Sequence, residues 1–219
     1  EVQNATWNKD FNFVSVLIST AIFDWGIYLP NNPCKMIKRS KEPPPRLRVL
    51  EDQEYERLLK ACEQVDLIYL EKAFVFSIET TMRQGELLNA MWEHVNFEKR
   101  TLFIPDTKTG YLSKDLTSNR TIPLSSLALK TLKELPRHIT GKIFPITRDM
   151  LNQKWKLAKK KAKIKDYHWH DNRCTGISWC FEKKNLDVSE VMTISGHKSP
   201  TILLKRYTKL NPTKIAMKI

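Results

Sequence analysis

The segment KRSKEPPPRLR, residues 38–48, is the strongest constraint on the fold. Three consecutive prolines lack amide hydrogens and hold φ near its fixed value, so neither a helix nor the interior of a sheet can run through them. Five basic residues and one acid leave the segment no apolar face to bury. The 219 residues therefore divide into a short helical piece at 1–36, an extended basic linker at 37–49, and a domain at 50–219 long enough for its own core.

Before the linker, Val14, Leu17, Ala21, Ile22 and Trp25 recur three or four apart, which predicts one face of a helix running from Asp10 and closing before Pro30. So little sequence accompanies this helix that it must find its partner either in the rest of a helical bundle or on the main domain. The most apolar run, Phe13 to Tyr28, is interrupted by Ser15, Ser19, Thr20 and Asp24 and lacks the basic start of a secretory signal, so no membrane span is expected. The first residue is Glu, as expected for a piece of something longer. Cys34, Cys62, Cys174 and Cys180 show no CxxC spacing, which predicts reduced thiols in a cytosol and no structural zinc. With 37 Lys+Arg against 24 Asp+Glu, the formal net charge of +13 points to a polyanionic partner rather than a merely soluble basic protein.

In the main domain, Tyr55, Leu58, Leu59 and Cys62 predict a helix over 52–62, and an apolar one follows over 69–78. Thr81 and Gln84 have capping-box spacing, which predicts a helix start that buries Leu87, Leu88 and Met91 and places Arg83 at an anion-favouring end. Residues 101–104 and 120–123 read as two strands of a small sheet joined by a long polar loop. Ser125 or Ser126 caps a helix carrying Leu129, Leu132 and Leu135. Leu151, Trp155, Ala158 and Ala162 form a core stripe, beside which Lys154, Lys156, Lys159, Lys160, Lys161 and Lys163 make either a solvated face or a phosphate-contacting ridge. A helix over 171–184 buries Cys174, Ile177 and Phe181. Asp187 with Glu190 starts the next helix, Gly196 ends it, and Ser199 caps a last one that begins at Pro200.

The stretch from His170 to Tyr207 carries side chains suited to a phosphodiester. Arginine forks hold phosphate oxygens bidentately, histidine moves protons, and a phenol is a covalent nucleophile. No Walker-type loop and no carboxylate cluster for a metal is present, so neither ATP, a metal nor another cofactor is expected.

Five motifs occur in one order: TTMRQGELL at 80–88, TKTG at 107–110, HDNR at 170–173, SGH at 195–197 and RYTKL at 206–210. In this order they resemble the tyrosine recombinases, the phage-type integrases, over residues 50–210. The helix, the NNPC turn and the linker before them resemble the end of that family's core-binding domain. The resemblance implies an α+β, mainly α catalytic domain of the DNA breaking-rejoining fold with a small antiparallel sheet. It further implies that Arg83 and Arg173 hold the scissile phosphate, that His170 assists proton transfer, and that His197 hydrogen-bonds a phosphate oxygen. Lys108 would protonate the departing 5′ oxygen, with Lys114 as a rival acid in the lengthened turn. Tyr207 would attack phosphorus to leave a 3′-phosphotyrosyl link, and Glu86 would orient the pocket. Arg206 and the lysines over 154–163 would contact DNA.

Two positions depart from the family pattern. Asn172 stands where Leu is usual, and Tyr207 follows His197 by ten residues, one more than usual, which the Lys198 to Ser199 connection or the helix start has to absorb. The implied activity is site-specific recombination that integrates or excises a mobile element. Its rivals are strand relaxation of the type IB topoisomerase kind and a DNA-binding recombination regulator with a weak site. Implied partners are duplex DNA, four protomers on paired sites and accessory DNA-bending proteins. The implied setting is the nucleoid-associated cytoplasm of a bacterial or phage-infected host.

Overall fold

The computed structural model describes residues 4–41, 46–105 and 119–207, with the backbone alone at 202 and 205–207. The chain divides into two compact units, Glu1–Arg46 and Leu47–Ile219. No helix among the described residues is long and apolar enough to cross a membrane.

The first unit holds helix α1, Asn4–Phe23, and a single 3-10 turn, Pro33–Met36. Asn32 ties them together. Its Oδ1 accepts from the Cys34 amide at 3.0 Å, while its Nδ2 donates to the Ser15 carbonyl at 2.7 Å and to Ser19 Oγ at 2.9 Å. Helix α1 starts earlier than the sequence pattern places it and ends before Trp25; of the expected apolar stripe Val14, Leu17 and Trp25 are exposed and Ala21 and Ile22 half-buried, whereas Asn8 is buried. One helix and one turn cannot fold over their own apolar face.

The second unit is built around α3, Leu70–Thr80, which packs against α2 (Asp52–Glu63), α5 (Ser126–Lys133), α6 (Arg148–Lys161) and α7 (Asp171–Glu182). Leu70, Ala73, Phe74, Val75, Phe76 and Ile78 are all buried, so most of α3 faces the core, with Glu71, Lys72 and Glu79 half-buried at its edge. Ser77 and Thr80 enter this core because their hydroxyls donate to the carbonyls of Phe74 and Phe76, at 2.8 and 2.6 Å. Trp155 of α6 fills the space beside α3, its ring 5.3 Å from that of Phe74 and 4.9 Å from that of Trp169.

Helices α3 and α7 cross so closely that a Cβ on Gly176 would lie 2.1 Å from the Ile78 carbonyl oxygen. Only glycine fits there, and the contact sets how near α7 comes to the end of α3. That end is Thr81, a left-handed residue with φ of 53°, and the single-turn helix α4 (Gln84–Leu88) follows.

The sheet has strands β1 (Val95–Asn96), β2 (Thr101–Ile104) and β3 (Arg120–Pro123) in the order β1-β2-β3, all antiparallel. Leu102 faces Ile122 and both are buried, whereas Ile104 pairs with Arg120 at the end nearest the site. Strand β1, two residues long, carries no periodicity that sequence could reveal. Helices α8 (Val188–Ser195) and α9 (Pro200–Tyr207) close the unit over a second core of Cys174, Ile177, Cys180, Val191, Ile194 and Leu203. Phe181, expected in the core, is half-buried at its edge.

Candidate active site

The site forms where the ends of α3, α7 and α8 meet. Arg173 on α7 is 4% exposed; its Nη1 donates to the Thr81 carbonyl at 2.6 Å and its Nη2 to the Ser195 carbonyl at 2.7 Å. A guanidinium held by two carbonyls is fixed in direction before any ligand arrives. The Thr81 carbonyl is available because the left-handed turn there breaks α3. For the same reason the expected Thr81–Gln84 capping box does not form: Thr81 ends α3 instead, and its Oγ1 is buried without a hydrogen bond among the described residues. Helix α4 begins at Gln84, and the Glu86 carboxylate accepts from the Arg83 amide at 2.8 Å. With five residues, α4 is too short for its dipole to be the main attraction for an anion.

Ser195 and His197 flank Gly196, whose φ of 70° stops α8 as its sequence predicts. The Ser195 hydroxyl lies 2.8 Å from His197 Nδ1, and Arg173 Nη2 lies 3.4 Å from the same nitrogen. Arginine can only donate, so Nδ1 serves as acceptor toward Arg173 and the ring proton of a neutral His197 sits on Nε2.

Arg83 is 40% exposed and gives Nη1 to Glu86 Oε1 at 2.8 Å. Glu86 also receives a fork from Arg120, Nη1 to Oε1 at 3.0 Å and Nη2 to Oε2 at 2.8 Å. Burial opposes ionisation of Glu86, yet the hydrogen bonds and charge of Arg120, then the amide and guanidinium of Arg83, outweigh it and hold the carboxyl down to about 2. The carboxylate is thus a fixed anion between two cations and does not transfer protons near neutrality.

His170 is exposed at the first position before α7, without a capping bond from its side chain. Asp171 braces that turn by accepting from the His168 amide at 2.7 Å. Asn172 is buried, and both of its amide atoms lack hydrogen bonds among the described residues, the cost of a polar group where the family usually has Leu. Buried phenols and thiols make poor nucleophiles. Burial pushes Tyr55 up to about 12, raises Tyr167 further, and pushes Cys180 up to about 11. Tyr207 is the last residue of α9, whose Leu203 is fully buried four positions earlier. The side chains of Tyr207 and Arg206, and all of Lys108 and Lys114, lie outside the described residues.

The expected lysine ridge is not gathered at this cluster. The start of α6 meets α4, where Gln84 Nε2 donates to Asn152 Oδ1 at 2.8 Å. Lys159, Lys160, Lys161 and Lys163 lie at its far end, roughly 16 Å along the axis from Arg148. Lys156, Lys160, Lys161 and Lys163 are exposed; Lys154 and Lys159 are half-buried. Among the described residues no group of His, Cys, Asp and Glu could hold a metal ion. Thr81, Arg120 and Ser195 were not legible as site residues. Only the RTIPL string after the polar loop, with a charge at the start of a strand, hinted at Arg120.

Fold and cluster together define a mainly helical domain in which buried Arg173 and half-exposed Arg83 lie either side of the turn that ends α3. The chain belongs to the phage integrase family, whose model matches residues 48–214. It is 34% identical over 214 residues to the shufflon-specific DNA recombinase of Escherichia coli, a match covering 98% of this chain and 53% of that protein. The chain thus spans about half the length of that curated relative. Its fold is similar to that of lambda integrase in a dimer bound to a COC′ core site, with TM-score 0.72 and 19% identity, covering 92% of this chain and 59% of that one. A lambda integrase tetramer bound to a Holliday junction gives TM-score 0.68 at 18% identity, with the same coverage of 92% and 59%.

Proposed function

We propose that this chain is the catalytic part of a site-specific recombinase that cuts and rejoins duplex DNA by transesterification. The observation that carries the reading is the pair of arginines: Arg173 is anchored on the Thr81 carbonyl, two residues before Arg83, with His197 against its other amine. Two guanidiniums and an imidazole N–H would suit a pentacoordinate phosphate, whose charge grows as the transition state forms.

In the proposed cycle the Tyr207 oxygen attacks phosphorus and the bond to the 5′ oxygen breaks. The phenolic proton leaves to His170, and the departing oxygen takes a proton from Lys108, or from Lys114 if the longer turn presents that lysine instead. The tyrosyl phosphodiester retains the energy of the broken bond, so a 5′ hydroxyl of another strand can attack it without ATP. Duplex DNA is the proposed substrate, and the lysines at the end of α6, with Arg206, contact its backbone outside the reacting phosphate. The first unit is proposed as the end of a core-binding domain. Four protomers on paired sites, accessory DNA-bending proteins and a cytoplasmic, nucleoid-associated setting complete the reading; the fold likeness to the tetrameric lambda integrase supports the four-protomer arrangement.

The test is a nicked suicide substrate, on which the wild-type chain is expected to form a denaturant-stable protein–DNA adduct. Binding without any adduct would leave a DNA-binding regulator, and relaxation of supercoiled plasmid lacking a specific site would favour topoisomerase activity.

A further inference from the structure

We propose that Arg120 is a positioning residue that joins the two halves of the site, holding Glu86 so that Arg83 stays available to phosphate and seating Gly196 directly before His197. The inference rests on the strand-transfer reading, and it begins from an asymmetry between two arginines on one carboxylate. Arg120 is 15% exposed and commits both terminal amines to Glu86, at 3.0 and 2.8 Å. Arg83 is 40% exposed and gives Glu86 one amine, at 2.8 Å. One guanidinium is spent as structure while the other keeps much of its fork toward solvent.

The remaining edge of Arg120 faces the other half of the site. A Cβ on Gly196 would stand 2.7 Å from Arg120 Nε and 2.8 Å from its Cδ, so the Gly196 backbone rests against the guanidinium, and Nε is buried without a hydrogen bond among the described residues. Contact therefore runs from Arg83 through Glu86 and Arg120 to Gly196, and then along the chain to His197 and across to Arg173. Lysine cannot replace this fork, because an ammonium offers no planar pair of donors to a carboxylate.

Charge explains why the joint matters. Glu86 shared between two arginines leaves one net positive charge for phosphate. Without Arg120, the buried carboxylate has Arg83 as its remaining guanidinium and draws that fork into a bidentate pair, leaving no net charge. Arg120 then acts on the rate of cleavage more than on DNA affinity, since both of its terminal amines are committed to Glu86.

Arg120→Met and Arg120→Lys are to be compared with wild type in three measurements: affinity for the nicked substrate, single-turnover adduct formation, and titration of Glu86 followed by carboxyl carbon NMR. In both variants adduct formation is expected to slow by about 10- to 100-fold, the range for residues that orient a reacting group, with affinity changed less than about 3-fold. Glu86, ionised in the wild type down to acid pH, is expected to titrate at higher pH in Arg120→Met, because Arg120 supplies the larger part of what holds its carboxyl down. Combining Arg120→Met with Glu86→Gln is expected to cost no more than Arg120→Met alone, because no carboxylate remains to capture Arg83; a purely structural role would make the losses add. A folded Arg120→Met that cleaves at the wild-type rate, or leaves the Glu86 titration unmoved, overturns the proposal. If Arg120→Met does not fold, Arg120→Lys cleaving at the wild-type rate has the same force. A wild-type chain that forms no adduct overturns the strand-transfer reading instead, and the Glu86 titration still judges the clamp.

Discussion

Replacing Gly176 by alanine perturbs the contact that sets the distance between α3 and α7. The added Cβ would sit 2.1 Å from the Ile78 carbonyl oxygen and 3.0 Å from Thr81 Cγ2. An ordinary carbon–oxygen contact is about 3.3 Å or more, so the helices must part by roughly 1 Å. Arg173 Nη1 now lies 2.6 Å from the Thr81 carbonyl, and the same displacement carries it beyond hydrogen-bonding distance. Overpacking of this kind costs about 1–3 kcal/mol. The lost charge-assisted hydrogen bond costs about 1.5–3 kcal/mol more. Alanine's better helix propensity returns only about 1 kcal/mol. A net loss of about 2–5 kcal/mol should lower the melting temperature by roughly 4–20 °C in a domain of this size. Adduct formation should fall on the order of 100-fold, because Arg173 is misplaced by about 1 Å. Thermal melts and single-turnover cleavage measure the two effects. A Gly176→Ala protein as stable as wild type, or stabilised by its helix propensity, would refute the close crossing and the placement of Arg173 derived from it.

Three further outcomes are expected. Glu86→Gln should lose stability at neutral pH by up to about 3 kcal/mol, estimated from a carboxyl held at about 2 against its ordinary 4.5. Because that pKa is depressed, the difference from wild type should be full above about pH 5 and shrink as pH falls toward 2; urea melts across that window that keep the two proteins equally far apart would be inconsistent with it. Asn172→Leu should stabilise the domain by about 1–3 kcal/mol, since it removes a buried amide with no hydrogen bonds among the described residues; destabilisation in the same urea melt would reveal a bond that Asn172 makes. Lys160→Ala should weaken DNA binding evenly across sequences and reduce the salt slope by about 1, with cleavage in the bound complex unchanged.

Much of the frame was legible because it depends on neighbours in sequence. Strands 101–104 and 120–123 lie where their composition places them, Asp187 caps α8 with Glu190 reaching back, Ser125 caps α5, and Gly196 ends α8 in the left-handed region. The joints of the site were not legible, for a common reason: each depends on approach between segments remote in sequence. Gly176 reads as an ordinary mid-helix glycine until Ile78 is beside it. Thr81 reads as a helix cap until Arg173, 92 residues away, takes its carbonyl. Arg120 reads as a strand-edge cation until Glu86 and Gly196 close on it. The charge of the lysine-rich segment was legible, but its distance along α6 from the arginine cluster was not, because it depends on how α6 packs against α4.

The most direct test of the central claim is to digest the trapped protein–DNA adduct and locate the nucleotide by tandem mass spectrometry. The expected result is a 3′-phosphonucleotide on the peptide carrying Tyr207 and none from the Tyr207→Phe protein, which should still bind the substrate. A nucleotide on any other residue, or an undiminished adduct from Tyr207→Phe, would contradict the account.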